Sequence, residues 1–235
     1  MVPWIETQHD FPSVGSALAE PNGLLCAGAD LAPETIVAAY SRGIFPWFSD
    51  GQPILWWSPD PRMVLFPAEF KISKSLAKTA DRGVFDIRFD TAFADVISAC
   101  SQPRREGGGT WIVPEMQSAY AQLHALGVAH SIESWRGGKL VGGLYGMALG
   151  RMFFGESMFA VETDASKVAL VALVDKLKRD GFELIDCQQE TRHLASFGAR
   201  PILRRDFVQR LKELINLNQM NSAWRSTGQG PNVEA

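Results

Sequence analysis

A chain of 235 residues, 46% hydrophobic and 21% charged, has enough apolar mass for a substantial core, in one large domain or a small one plus a medium one. Its formal net charge of -3 excludes a polycation, so a nucleic-acid partner has to meet a local basic patch. Cys26, Cys100 and Cys187 are scattered without metal-ligand spacing, and the start "MVPWIETQHDFPSVG" carries charge and proline where a leader would be apolar; a cytoplasmic protein with no membrane span and no metal is expected.

The first stretch, to about Arg62, is rich in Pro, Gly and Trp. Its one clear helix is "PETIVAAYSRG", opened by Pro33 and stopped by Gly43, with Ala32 where a small polar cap is expected. "PWFSDGQPILWWSPDPR" follows, a segment that its prolines confine to loop and edge strand. Trp56 and Trp57 are strand neighbours, so their rings point to opposite faces and at least one packs the joint between domains.

From Met63 the pattern alternates. "RMVLF" predicts a strand, "SKSLAKTA" a helix, "VFDIRF" a strand, and "TAFADVISAC" and "PEMQSAYAQLHALG" two helices. "HSIESWRGGKLVGGLYGMALG" predicts a hairpin turning at Gly137-Gly138, and "RMFFGESMF" a further strand. "DASKVALVALVDKLKRDG" predicts a long helix capped by Asp164 or Ser166 and stopped by Gly181. "FELIDCQ" is a strand, "RRDFVQRLKELINL" a late amphipathic helix, and the polar tail is expected to be loose. The class is α+β with a mixed sheet: a small irregular N-terminal domain over 1–62, then a larger domain over 63–235.

Alternation along "MFFGESMF" collects Met152, Phe154, Glu156 and Met158 on one face. A carboxylate among apolar groups is costly unless paired; spacing alone slightly favours a structural cation or a wet strand end over a reacting group. In "ELIDCQ", Leu184, Asp186 and Gln188 share one face, Ile185 and Cys187 the other. Asp186 and Gln188 can orient a polar substrate or form a satisfied pair at a sheet end, and spacing does not choose. Cys187 reads as a small core residue, and His124 and His193 as structural helix residues. Lys71, Lys74, Lys78 and Arg82, spaced three, four and four, fall on one side of a helix: a solvated face, or a phosphate track if exposed aromatics lie beside it. Arg104 and Arg105 precede "EGGGTWIVP", where three glycines lead into Trp111, a core plug or a stacking ring.

The strings "EPNGLLCAGADL", "AAYSRGIFPWFS", "PILWWSPDPR", "GTWI", "YAQLHALGVAHSIESW", "LVGGLYGMALG", "FFGESMF", "ASKVAL" and "LIDCQ", in this order over roughly residues 20 to 210, resemble the leucyl/phenylalanyl-tRNA–protein transferases. That resemblance implies an acetyltransferase-like (GNAT-like) domain behind a small N-terminal one. It implies transfer of leucine, phenylalanine or, less well, methionine from Leu-tRNA, Phe-tRNA or Met-tRNA to the α-amine of proteins beginning with Arg or Lys, which creates a degradation signal. No cofactor beyond the charged tRNA is implied, and a monomer is expected. Carried over residue by residue, Trp47 and Trp111 match aromatics near the terminal adenosine. Glu156, Asp186 and Gln188 match the reacting centre, with Asp186 expected to orient the incoming amine. Met158 and Ile185 match the aminoacyl pocket, where this chain shows Leu144, Leu173 and Leu177. Lys71, Lys74, Lys78 and Arg82 are the candidate tRNA contacts. A coenzyme-A acetyltransferase on the same framework is disfavoured, because "AVETDASK" lacks the glycines of a pyrophosphate nest. Asp186→Asn, nearly isosteric, is expected to leave folding close to intact.

Overall fold

The computed structural model describes residues 2–102, 112–215 and 224. The first segment is more regular than its composition suggests. β1 (Trp4–Ile5), β2 (Leu24–Gly28), β3 (Phe45–Pro46) and β4 (Leu55–Trp57) form a four-stranded sheet of order β1-β2-β4-β3. These strands run two to five residues and one ends in Pro46, so no alternation betrays them. Helix α1 (Pro33–Tyr40) begins without a side-chain cap at Ala32, but Asp30 supplies one from outside by accepting from the Ala32 amide and the Thr35 hydroxyl at 3.1 and 2.6 Å. One side of α1 (Ala39) joins a small core with Ile5, Phe11, Leu25 and Trp56, while Ile36 and Tyr40 enter the larger core.

Arg62 opens the second sheet. β5 (Arg62–Leu65), β6 (Asp86–Phe89), β7 (Ala129–Arg136), β8 (Lys139–Leu149), β9 (Met152–Ala160), β10 (Leu184–Gln188) and β11 (Arg200–Ile202) take the order β11-β5-β10-β9-β8-β7-β6. Gly137 and Gly138 make the β7–β8 turn, both at positive φ, as a tight right-twisted hairpin requires. Helices cover both faces: α3 (Phe93–Cys100), α4 (Pro114–Ala125) and α7 (Arg204–Leu214) contribute to one core, α2 (Lys74–Asp81) and α5 (Ala165–Asp180) to the other. A short helix, α6 (Arg192–Ala195), follows β10. The N-cap of α5 is Asp164, in a left-handed conformation and without a capping bond; its carboxylate pairs with Lys167 instead.

Every neighbour pair in the seven-stranded sheet is antiparallel except β9 with β10. That parallel pair holds register from Met152/Leu184 to Phe154/Asp186, the last paired position. Beyond it each strand keeps only its other neighbour, β8 for β9 and β5 for β10, and bulges. Tyr145 faces Ser157 while Gly146 faces Gly155, so Glu156 is the extra residue of β9. Val64 faces Asp186 while Met63 faces Gln188, so Cys187 is the extra residue of β10. The β9 bulge needs Gly146: a Cβ there would lie 2.2 Å from the Phe154 carbonyl oxygen. The fork beneath these bulges is where the site lies.

Candidate active site

A cavity of about 740 Å³ opens at the fork. Its apolar wall includes Leu144, Phe153, Met158, Leu170, Leu173 and Ile185; Phe45 and Trp47 stand on the side of the first sheet. Glu156, Asp186, Cys187 and Gln188 supply the polar side. A space lined by aliphatic and aromatic groups around a few convergent polar ones suits a small apolar side chain carrying a polar head.

The bulge at Glu156 corrects the expected alternation. Met152 and Phe154 belong to one core, but Met158 packs with Phe153 on the other side of the sheet. Glu156 therefore marks the crossover, and among the described residues its carboxylate is met by Tyr40 and Gln188 and not by a cation. Tyr40 donates to its Oε1 at 2.8 Å and the Gln188 amide to the same oxygen at 3.1 Å. Tyr40 and Tyr120 hydroxyls lie 2.6 Å apart. Burial raises the Glu156 carboxyl to about 7, with the Asp186 charge adding to the rise while the hydroxyls of Tyr40 and Tyr120 and the Gln188 amide act against it. A carboxyl of that acidity exchanges protons at neutral pH, the property required of a general base.

Asp186 is fully buried, and Arg62 occupies its carboxylate: Nε donates to Oδ1 at 2.8 Å and an Nη to Oδ2 at 2.7 Å. The Arg62 guanidinium also donates to the Gly43 carbonyl and lies between the rings of Phe45 and Phe207, 4.7 and 4.6 Å from their centroids. Oδ1 of Asp186 further accepts the Gln188 amide N–H at 2.9 Å, which pins Gln188 at φ 61. Asp186 and Gln188 thus meet through backbone, across a bulge that spoils their simple two-residue face. Direct capture of an amine by Asp186, the role expected above, would compete with a bidentate guanidinium and with the Gln188 backbone N–H.

Leu144, Met158, Leu173 and Ile185 all line the cavity, but Leu177 does not: one turn further along α5, it is sealed in the core behind the wall. Trp47 is 38% exposed at the rim, held edge-on to Trp57 at 5.4 Å, while the Trp57 indole donates to the Trp47 carbonyl. Trp57 packs against the larger core and Trp56 is buried in the smaller one, its indole on the Gly28 carbonyl; the two neighbours do face opposite ways. Trp111, Arg104 and Arg105 lie outside the described residues.

The basic stripe is only partly helical. Lys74 and Lys78 are exposed one turn apart on α2, but Lys71 precedes the cap residue Ser73, and Arg82 is the C-cap. The Lys71 amide instead bonds the Phe197 carbonyl. His124 and His193 do sit on helices, and His193 also borders the cavity.

Sequence reading missed Arg62, Tyr40, Tyr120, Phe153 and Leu170. Arg62 had a signal, since a charge opening the apolar strand "RMVLF" demands a buried partner. The tyrosines had none: residues 80 positions apart meet only in the fold.

Comparison with known proteins shows the family. The sequence profile described as leucyl/phenylalanyl-tRNA protein transferase matches residues 64–212, and that of the same family's N-terminal domain matches residues 29–60. The chain belongs to the leucyl/phenylalanyl-tRNA–protein transferase family. It is 57% identical to the family's protein from Nitrosospira multiformis over 95% of this chain and 97% of that one. Identity to the protein from Aromatoleum aromaticum is 56% over 98% and 93%, and to that from Thiobacillus denitrificans 58% over 91% and 94%. The transferase is accordingly an aminoacyl-tRNA–protein acyltransferase.

Proposed function

We propose that this transferase moves leucine or phenylalanine, and less well methionine, from its tRNA to the α-amine of proteins beginning with Arg or Lys, leaving an N-terminal degradation signal. In this reading it works as a cytoplasmic monomer on an acetyltransferase-like framework, with charged tRNA as donor and no further cofactor. The observation that carries it is the Gln188–Glu156 bridge at the floor of an apolar cavity, where one parallel strand pair opens. Leu144, Met158, Leu173 and Ile185 would enclose the aminoacyl side chain. Trp47, with Trp111, would stack the terminal adenosine, and Lys71, Lys74, Lys78 and Arg82 would meet phosphates.

The donor ester is already activated, so no enzyme nucleophile is needed. An α-amine has a pKa of about 7.7–8.0, so roughly a tenth is neutral at pH 7. The neutral amine attacks the ester carbonyl carbon, a C–N bond forms, and nitrogen becomes cationic. Glu156 takes one proton from that nitrogen. The bond from carbonyl carbon to ribose oxygen breaks, and the ribose oxygen leaves as a hydroxyl carrying the proton that Glu156 returns. Gln188 holds the amine or the carbonyl, Asp186 holds Gln188, and Arg62 holds Asp186. Alignment of the two bound reactants supplies more rate than proton transfer, which contributes ~10²–10⁴-fold.

The test mixes the protein with radiolabelled Leu-tRNA and a peptide beginning with Arg. Label should enter the peptide and should not enter the same peptide with its α-amine acetylated. Absence of label from both refutes the reading.

A further inference from the structure

Glu156 is a β9 residue, yet a donor to its carboxylate comes from the N-terminal part of the chain. Tyr40, on the last turn of α1, is fully buried and stands edge-on to Phe154 at 5.2 Å. Its hydroxyl is 2.8 Å from Glu156 Oε1 and 2.6 Å from the Tyr120 hydroxyl. A tyrosine has one proton to give. When Glu156 is ionised, Tyr40 gives that proton to Oε1, so the Tyr120 hydroxyl must be the donor to Tyr40. The hydrogen bonds then run Tyr120, Tyr40, Glu156, from α4 through α1 to the fork, and the Tyr120 hydroxyl also favours the ionised carboxylate directly. Tyr120 is itself fully buried and edge-on to Tyr145 at 5.5 Å, so neither ring can swing aside.

We propose that Tyr40 and Tyr120 are positioning residues for the transfer reaction, a two-hydroxyl relay that fixes the Glu156 carboxylate against Gln188 and leaves it open to the cavity as the acceptor of the amine proton. This deepens the proposed function and rests on it. Tyr40 and Gln188 converge on Oε1, and the Tyr120 hydroxyl also faces the carboxylate. The groups facing Glu156 are Tyr40 from α1, Tyr120 from α4, Tyr145 from β8, and Asp186 with Gln188 from β10, Asp186 being clamped by Arg62 of β5. Burial and the charge of Asp186 work against ionisation of Glu156; the hydroxyls of Tyr40 and Tyr120 and the Gln188 amide work for it. The tyrosines stay protonated throughout, because burial holds both hydroxyls well above their ordinary pKa, with the Glu156 charge adding to the rise. They are fixed donors and do not exchange the proton themselves.

The test uses Tyr40→Phe and Tyr120→Phe, each removing one hydroxyl and keeping the ring. Two quantities are measured from pH 5.5 to 9: single-turnover transfer with both substrates saturating, and the Glu156 carboxyl titration by carbon NMR, with Glu156→Gln to identify its signal. Loss of a hydrogen bond to a charged group should move the Tyr40→Phe titration, and the acid limb of transfer, up by about one pH unit. Transfer at pH 7 should fall about fivefold and recover to within about twofold of the parent near pH 9. Tyr120→Phe should shift both in the same direction by less. A carboxyl titration that stays in place overturns the inference, as does a loss of transfer that is equal at every pH. If Tyr40→Phe proves too unstable to assay, an unmoved limb in Tyr120→Phe overturns it. Should the parent fail to transfer at all while the titration shifts, the proposed function falls and the role of the relay in transfer falls with it; the two failures are separated by the NMR readout.

Discussion

Arg62 and Asp186, 124 positions apart, form a two-point ion pair that is 1% and 0% exposed. Removing one partner of such a pair leaves a charge stranded in the core, which costs ~3–5 kcal/mol, whereas the intact pair is close to neutral against an apolar replacement.

Asp186→Asn, conservative in shape, is therefore expected to destabilise the protein by about 3–5 kcal/mol, contrary to what isostery alone suggests. It should also lower the saturated transfer rate by about 10²-fold, since Gln188 loses its anchor. Urea unfolding and single-turnover transfer measure the two effects. The double variant Arg62→Met/Asp186→Leu should recover most of the stability and none of the rate. A midpoint for Asp186→Asn equal to that of the parent would show that the guanidinium finds water.

The raised Glu156 carboxyl makes a stability prediction whose sign is opposite to the common case. The folded protein keeps this proton up to about pH 7, whereas an ordinary glutamate releases it near 4.5. Between those values the folded state binds more protons, so Glu156 makes stability fall as pH rises through the window. Glu156→Gln should remove that fall. The stability of variant minus parent should grow by about 2–4 kcal/mol from pH 4.5 to 7.5, read from urea midpoints; a flat difference refutes the assignment.

Leu173 and Leu177 lie one turn apart on α5 and should behave differently. Leu173→Ala widens the cavity and should move donor choice toward phenylalanine by about tenfold, scored by competing Leu-tRNA against Phe-tRNA. Leu177→Ala creates a void behind the wall, costing ~2–5 kcal/mol of stability with the donor ratio within about twofold of the parent. Equal effects on donor ratio would place both side chains at the substrate.

Lys74 and Lys78 project from α2 into solvent. If each meets one phosphate, changing both to Gln should flatten the log–log salt dependence of tRNA binding by ~1.4, or somewhat more on a duplex. A parental slope in the double variant returns the pair to an ordinary solvated surface.

The parts of this architecture legible from the sequence are those with long local pattern. The hairpin of β7 and β8 announces itself through Gly137-Gly138, and α5 through its sustained apolar stripe and Gly181 stop. The first sheet is not legible, because strands such as Trp4–Ile5 and Phe45–Pro46 are too short to repeat any pattern. The polar trio Glu156, Asp186 and Gln188 is visible as expensive polarity in apolar strands. Its arrangement is not, because the bulges at Glu156 and Cys187 depend on what the neighbouring strands can accommodate, Gly146 above all. Nor can Lys71 be told from a helical residue until the Phe197 carbonyl claims its amide.

The sandwich around Arg62 has a consequence for how the molecule is made. One of its two rings, Phe207, belongs to α7, near the end of the described chain. Ribosomes deliver residues from the N-terminus onward, so the sheet, the fork and Glu156 all emerge before that ring does. Until α7 docks, the guanidinium has an open flank to water and its grip on Asp186 is weakened. Helix α7 thus acts as the closing part of the site, and a nascent chain cut short before it would carry Glu156, Asp186 and Gln188 and still lack the dry clamp that aligns them.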